Sequence, residues 1–431
     1  MINIITADNN VSAILGNQHF SRDDEYRLSF LCVTVSVLEG TLLFHNLTKE
    51  LVLIKSTLAD ISDDDYSLLV KKWFFVSLKL DECKLVKDVR EFLHITYEKV
   101  RDKNITILPT TDCNARCFYC FERNLVRENM TKETALNTVS FIKRQIKPNE
   151  RLFIRWFGGE PLTNTQPIDL ICQKLKQENE IPFSSMIVTN GYLLNSPLLN
   201  HAIETWNLKA VQITLDGTEK IYNKAKAYIY SDDNPFQTVL NNIEYISTKS
   251  IDLIIRLNID EYNIEDMFCL ADTLSKRIQN KGKTRFNLAP LFEYAGAVEH
   301  VRPESTRKKL LSSIEELQLK IESCGFPKSG ISRSLKATFC GADSKNSIVV
   351  LPNGNLIRCE HIIENEPVGT VYDSSSSFSD GVWKKYRPDK EDCSSCPIYP
   401  ECNRPLGCKE GELCSPAIKY WKINELSKKI K

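Results

Sequence analysis

The sequence reads as an α/β chain built on a mostly parallel sheet, with a small α+β segment before it and a cysteine-rich segment after it. Three observations carry this reading. Between residue 104 and about residue 295, stretches rich in β-branched and aromatic residues alternate with amphipathic stretches. Most of the β-type stretches are apolar on both faces, as buried parallel strands are. Seven of the fifteen cysteines fall in the last hundred residues, at 340, 359, 393, 396, 402, 408 and 414.

The first hundred residues predict mixed structure. Two apolar runs, 27–38 and 41–54, flank Glu39–Gly40 and read as a hairpin. A helix with acidic residues at its start follows (63–73), then a short strand (74–80) and a helix (85–100).

Candidate strands of the central region are 104–110, 151–159, 185–191, 210–217, 252–260 and 284–293. Between the first two, Thr131 is placed as an N-cap, with Leu136, Val139, Ile142 and Ile146 at helical spacing behind it. Before the fourth strand, Ser196 is expected to cap and Pro197 to take the first helical turn. Six strand–helix units of this length predict a partial (β/α)6 TIM-type barrel, open on one side, with its chemistry at the C-terminal strand ends. The tail opens with a helix over 304–325 that Gly325 can end in left-handed geometry, and 373–381 reads as a flexible loop. The domains expected are 1–103, 104–300 and 301–431.

At 431 residues the chain can bury more than one core. Its 56 basic and 56 acidic residues give no net field to attract nucleic acid or an anionic membrane. No run of 18 apolar residues is present, and the first twenty residues lack the basic start and apolar core of a signal peptide. These features predict a cytoplasmic protein. In a reducing compartment fifteen cysteines point to metal or catalysis, not to disulfides. Cys32, Cys83, Cys172, Cys269 and Cys324 stand singly and are expected to be small core residues.

Cys113, Cys117 and Cys120 occupy one short loop, 112–122, directly after the first barrel strand. Three thiolates on one loop can grip three irons of a [4Fe–4S] cube and leave the fourth open. A structural zinc site is the alternative, but it wants four ligands, and the nearest further candidates are His94 and Cys172. This CxxxCxxC loop resembles that of the radical S-adenosylmethionine (SAM) enzymes, and later motifs recur in the same order. The resemblance implies a [4Fe–4S] cluster that binds SAM, reductive cleavage of SAM, and a 5′-deoxyadenosyl radical that takes a hydrogen atom from substrate. It implies that Tyr119 sits beside the adenine, and that Gly158, Gly159 and Glu160 of the FGGEP run hold the methionyl amino group. Asn190, Thr214 and Asp216, at the third and fourth strand ends, and Arg256 and Asn258, on the fifth, would complete the SAM pocket.

The tail resembles the SPASM module, which adds auxiliary clusters to radical SAM enzymes that act on peptides. By that resemblance Cys393, Cys396, Cys402 and Cys414 ligate an outer cluster, and Cys340, Cys359 and Cys408 an inner one. The spacing leaves open which of Cys408 and Cys414 serves which cluster, and a zinc knuckle of Cys393, Cys396, Cys402 and Cys408 is the bland alternative. The first hundred residues resemble, in pattern only, winged-helix-like peptide-recognition domains; a capping role for the barrel stands beside that reading. Together these imply a radical SAM/SPASM maturase of a ribosomally made precursor peptide, forming a thioether or carbon–carbon cross-link. Its partners would be the precursor with its leader and a flavodoxin- or ferredoxin-type electron donor. Two other readings are an anaerobic sulfatase-maturing enzyme, whose catalytic base would correspond to Glu360, and a non-catalytic iron–sulfur carrier.

Overall fold

The computed structural model describes residues 2–6, 10–55, 61–100, 102–147, 150–177, 181–230, 234–291, 304–328, 335, 340–361, 363, 366–382, 395–401, 423–424 and 426–427. The N-terminal part runs β1 (Ile2–Thr6), α1 (Asn10–Leu15), β2 (Tyr26–Leu28), β3 (Cys32–Val37), β4 (Gly40–His45), β5 (Glu50–Ile54), α2 (Asp63–Lys71), β6 (Phe75–Ser77) and α3 (Glu82–Val100). The expected hairpin is β3–β4, antiparallel around Leu38–Glu39. The second apolar run is two strands, not one. Lys49 takes a positive φ of 59°, and the chain turns back so that β5 pairs with β4. The sheet order is β1–β5–β4–β3, with β2 and β6 forming a separate pair.

The barrel follows as β7 (Lys103–Thr110), α4 (Lys132–Gln145), β8 (Leu152–Gly158), α5 (Thr165–Gln177), β9 (Phe183–Thr189), α6 (Ser196–Thr205), β10 (Leu208–Leu215), α7 (Glu219–Lys226), α8 (Pro235–Ser247), β11 (Asp252–Ile259), α9 (Ile264–Arg277), β12 (Thr284–Pro290) and α10 (Glu304–Ser323). All six expected strands are present and parallel. Alternate residues such as Val211, Ile213 and Leu215 pack outward into one large apolar core with the helices. Thr131 caps α4 by accepting from Thr134 N, as expected. Asn195, not Ser196, caps α6, because its side chain is the one that reaches Leu198 N. Val139 and Ile142 face the core as expected, but Leu136 lies on the exposed face of α4, and Ala135 and Thr138 take the core side there.

The helix over 304–323 is the helix that follows the sixth barrel strand: Leu310, Leu311, Ile314, Leu317 and Ile321 join the barrel core. Gly325 ends it at φ 88°. Beyond it, β13 (Ser347–Val350), β14 (Asn355–Ile357) and β15 (Gly369–Thr370) extend the barrel sheet past β7, with β13 parallel to β7. The segment 373–381 is not a loose loop, since Phe378 is buried and stacks on Phe141. The N-terminal sheet packs against the end of the chain: Ile398 and Leu426 enter its apolar face, and Asn46 Nδ2 donates to Pro397 O at 2.8 Å. Of the five single cysteines only Cys172 is fully buried, and Cys269 is exposed. Among the described residues no helix is long and apolar enough to cross a membrane.

Candidate functional site

The cysteine loop springs from the C-terminal end of β7 and is closed at its root by two threonines. Thr110 Oγ1 donates to Glu128 O at 3.0 Å, and Thr111 Oγ1 donates to Val126 O at 2.7 Å. The loop is then pinned to neighbouring strand ends. Asn190 Nδ2 donates to Asn114 Oδ1 at 2.6 Å, and Arg116 N donates to Lys226 O at 2.8 Å. Cys113, Cys117 and Cys120 line one small pocket of about 50 Å³, together with Glu122, Gly159 and the three arginines Arg116, Arg123 and Arg127. Burial pushes the Cys113 thiol up to about 12 and the Cys120 thiol up to about 11, and it raises Cys117 as well. These sulfurs therefore need a positive partner to become ligands, which a metal cluster supplies.

Among the described residues no group of three or more His, Cys, Asp or Glu side chains surrounds a single ion position. The thiols line a wall instead. Two buried polar atoms of the loop, Asn114 Nδ2 and Glu122 Oε1, have no hydrogen-bond partner among the described residues. Three sulfur donors on one pocket wall, with an unmatched donor and acceptor beside them, fit a cluster carrying a polar organic ligand.

The glycine pair works differently from the expectation. A Cβ on Gly158 would strike Thr110 O and one on Gly159 would strike Asp112 O. The glycines let the end of β8 cross against the root of the cysteine loop, so their first duty is to that backbone. Glu160 is fully buried and accepts from Leu162 N (3.1 Å), Thr189 Oγ1 (2.7 Å) and Asn190 N (2.7 Å). Burial raises its pKa while these donors oppose the rise. Its carboxylate ties the β8 end to the β9 end.

Tyr119 and Asp216 are turned toward each other. The Tyr119 hydroxyl donates to Asp216 at 2.8 Å, and Lys226 Nζ lies 3.0 Å from both groups. Burial pulls the Lys226 pKa down, but Asp216, Tyr119, Cys117 and Tyr222 together outweigh it and hold the ammonium well above its ordinary value. Lys226 thus joins the end of α7 to β10 and to the cysteine loop, and both Asp216 oxygens are engaged by Tyr119 or Lys226. Thr214, Arg256 and Asn258 lie on the strand face opposite the helices, where Arg256 Nε donates to Asn258 Oδ1 at 2.9 Å. Asn263 Nδ2 donates to Asp216 O (2.9 Å) and Asn258 O (2.8 Å), closing the β10 and β11 ends together.

The tail cysteines that are described divide into two places. Arg358 is buried and donates to the carbonyls of Gly341, Ala342, Ser344, Ser347 and Phe378. It thereby holds the turn after Cys340 against the residue before Cys359. Cys396 packs beside Tyr399 and Ile398 in the N-terminal core clusters. Cys393, Cys402, Cys408 and Cys414 lie outside the described residues. Glu360 forms an ion pair with Arg155 of β8, whose guanidinium stacks on Phe157 at 5.4 Å. Burial favours the neutral acid, but Arg155 and then His361 hold the Glu360 carboxyl below its usual range. The carboxyl expected as a base is therefore engaged by Arg155 in this structure. The His361 ring meets Phe121 of the cysteine loop at 4.8 Å, so the tail touches the first site.

Sequence reasoning passed over Lys226, Arg155, Arg358 and Glu122. Arg155 was visible as a lone charge in an apolar strand. Lys226 is one of three lysines on α7, and nothing local separates it from Lys220 and Lys224. Burial, followed by the nearby Glu360, pushes the Glu122 carboxyl up to about 8.

Residues 107–273 match the family model described as the Radical SAM superfamily. The chain is 29% identical over 193 residues to the radical SAM cyclopropyl synthase TigE of Paramaledivibacter caminithermalis, covering 38% of this chain and 41% of that protein. It is 28% identical over 269 residues to the GTP 3′,8-cyclase of Clostridium perfringens strain 13, covering 58% and 78%. Among solved structures the fold is shared with anSMEcpe bound to AdoMet, at a TM-score of 0.58 and 17% identity, over 76% of this chain and all of that one. It is shared with Streptococcus suis SuiB bound to the precursor peptide SuiA, at a TM-score of 0.51 and 14% identity, over 88% and 94%. With the three thiols on the rim of a six-stranded parallel barrel, residues 107–273 of this chain are a radical SAM domain.

Proposed function

We propose that this protein is a radical SAM maturase of SPASM type that acts on a ribosomally made precursor peptide, forming a thioether or carbon–carbon cross-link. The observation that carries the proposal is the single pocket lined by Cys113, Cys117, Cys120 and Gly159 at the strand ends. When bound there, a [4Fe–4S] cluster with SAM supplies one-electron cleavage of SAM and a hydrogen-abstracting 5′-deoxyadenosyl radical. The chain's own residues orient and enclose. Lys226 and Asp216 lock the cysteine loop to β10, while Thr214, Arg256 and Asn258 offer polar groups inside the barrel. Cys340 and Cys359, joined through Arg358, would hold the inner auxiliary cluster with Cys408; Cys393, Cys396, Cys402 and Cys414 would hold the outer one.

A peptide substrate is supported by the fold shared with SuiB, which reaches across 88% of the chain. Strand β3 is an edge of the N-terminal sheet among the described residues, and a leader peptide could add a strand there. Formylglycine formation is the weaker reading, because it needs a base at Glu360, which Arg155 engages. A flavodoxin or ferredoxin in the cytoplasm would supply the electron. The test is anaerobic incubation of the reconstituted protein with SAM, reductant and the short peptide encoded beside its gene, read by mass spectrometry. Loss of two hydrogens from the peptide is expected. Conversion of a Cys or Ser to formylglycine in a sulfatase peptide, with the neighbouring peptide untouched, would overturn the proposal.

A further inference from the structure

Between Cys340 and Cys359 the chain is fixed from two sides, and one buried carboxylate takes no part in the fixing. Gly341–Asp343 form a short 3-10 turn, closed by Asp343 N donating to Cys340 O at 3.3 Å. Arg358 turns its donors to the carbonyls of Gly341, Ala342 and Ser344 around that turn, and to those of Ser347 and Phe378. From the other side, Glu98 of α3 accepts from Ser344 Oγ at 2.7 Å and from Lys345 N at 2.6 Å. Asp343 sits inside this frame, only 7% exposed, and its Oδ1 has no hydrogen-bond partner among the described residues. The cations that act on it are Arg358 and Arg90 of α3. They offset its charge, but Oδ1 receives no donor from either, and the N–H groups of Arg358 are spent on carbonyls. A buried carboxylate oxygen left in this condition is costly and calls for a partner that the polypeptide does not supply.

We propose that Asp343 is an iron ligand of the inner auxiliary cluster, filling the fourth position beside Cys340, Cys359 and Cys408. The inference rests on the reading of the tail as a cluster-bearing module. That reading gives the inner cube three sulfurs for four irons, and no cysteine lies between Cys340 and Cys359. Asp343 stands three residues after Cys340, on the turn that the residue before Cys359 holds in place. Iron in such clusters takes ligands other than sulfur, as histidine replaces cysteine in Rieske centres. Each ligand of a cube reaches a different iron, so the four need not surround one point. The consequence is functional. With its fourth position filled, the inner cluster offers no iron to a substrate thiolate, and the peptide is held by protein groups alone.

The test is made in full-length, anaerobically reconstituted protein carrying Cys113→Ala, Cys117→Ala and Cys120→Ala, so that only iron bound by the tail is read. This protein is compared with its Asp343→Asn and Asp343→Cys derivatives. Iron per chain is counted, and the reduced protein is examined by electron paramagnetic resonance before and after mercaptoethanol is added. With Asp343 intact, about eight irons are expected, with a spectrum that the thiol leaves unchanged. Asp343→Asn keeps the shape of the side chain without its anionic oxygen. It should either lose iron or keep it with a spectrum that the thiol now alters. Asp343→Cys should restore the iron count and shift the reduction potential. An Asp343→Asn protein with undiminished iron and a thiol-insensitive spectrum overturns the proposal, leaving Asp343 a counter-ion of Arg90 and Arg358. Absence of tail iron with Asp343 intact overturns the reading of the tail instead. Should both derivatives fail to fold, the protein with Asp343 intact decides, because a spectrum altered by the thiol reveals an open iron and overturns the ligand role.

Discussion

The two sulfur-bearing regions of this chain are built on different plans. The first takes three cysteines from eight consecutive residues and fastens them to the barrel through neighbours: Asn114 to Asn190, Arg116 to Lys226, Tyr119 to Asp216. The second spreads its cysteines from 340 to 414 and relies on long-range fasteners. Among its described residues the main one is Arg358, which binds four carbonyls between Cys340 and Cys359 and a fifth, that of Phe378, beyond them. A contiguous set of cysteines is held by the strand it leaves. A dispersed one needs a side chain to act as scaffold.

The sharpest way to break this comparison is to remove sulfur from each region in turn. Cys113→Ala, Cys117→Ala or Cys120→Ala should each lower SAM cleavage by several orders of magnitude, since one of only three ligands is gone. Cys340→Ala or Cys359→Ala should leave SAM cleavage measurable while iron content falls. Release of 5′-deoxyadenosine and iron analysis read both, and equal loss in the two sets would erase the distinction.

The next largest effect is expected at the first region's fastener. Lys226→Met leaves Asp216 buried and unpaired, which should cost about 3–5 kcal/mol in chemical denaturation. The double variant Lys226→Met/Asp216→Asn should recover much of it, and no recovery would mean that the pair is not the fastener. For the second region, Arg358→Met leaves five carbonyls short of a donor and should cost about 1–3 kcal/mol. Iron should fall with the barrel cluster retained, and loss of SAM cleavage in this variant would show that the two regions do not stand apart.

The last effect lies outside both regions, shows only below pH 6.5 and serves as a control. His45 is buried beside Ser29 and Thr48, and burial followed by Lys49 lowers its pKa to about 3. The folded state keeps this imidazole neutral, whereas the unfolded chain protonates it near pH 6.5. Its contribution is therefore complete above pH 6.5 and is lost as pH falls toward 3, by about 1.4 kcal/mol per pH unit. His45→Gln should flatten that part of the stability profile without altering SAM cleavage.

What the sequence disclosed follows the same division. The six strands were legible because parallel strands buried on both faces read as continuous apolar runs, and the loop because its spacing is local. The function of the polar residues was less legible. Asp216, Tyr119 and Glu360 were assigned outward to ligands, yet each is engaged by a residue distant in sequence: Lys226 for the first two, Arg155 for the third. Such pairs depend on where the chain returns, and no local pattern records it. The helix over 304–323 was grouped with the tail, but its apolar stripe belongs to the barrel.

The most direct measurement is the product of SAM turnover by the anaerobically reconstituted, reduced full-length protein. The account predicts 5′-deoxyadenosine and methionine in equal amounts, dependent on reductant and abolished by Cys117→Ala. Intact SAM after reduction, in protein carrying a full cluster in the pocket of Cys113, Cys117 and Cys120, would contradict it.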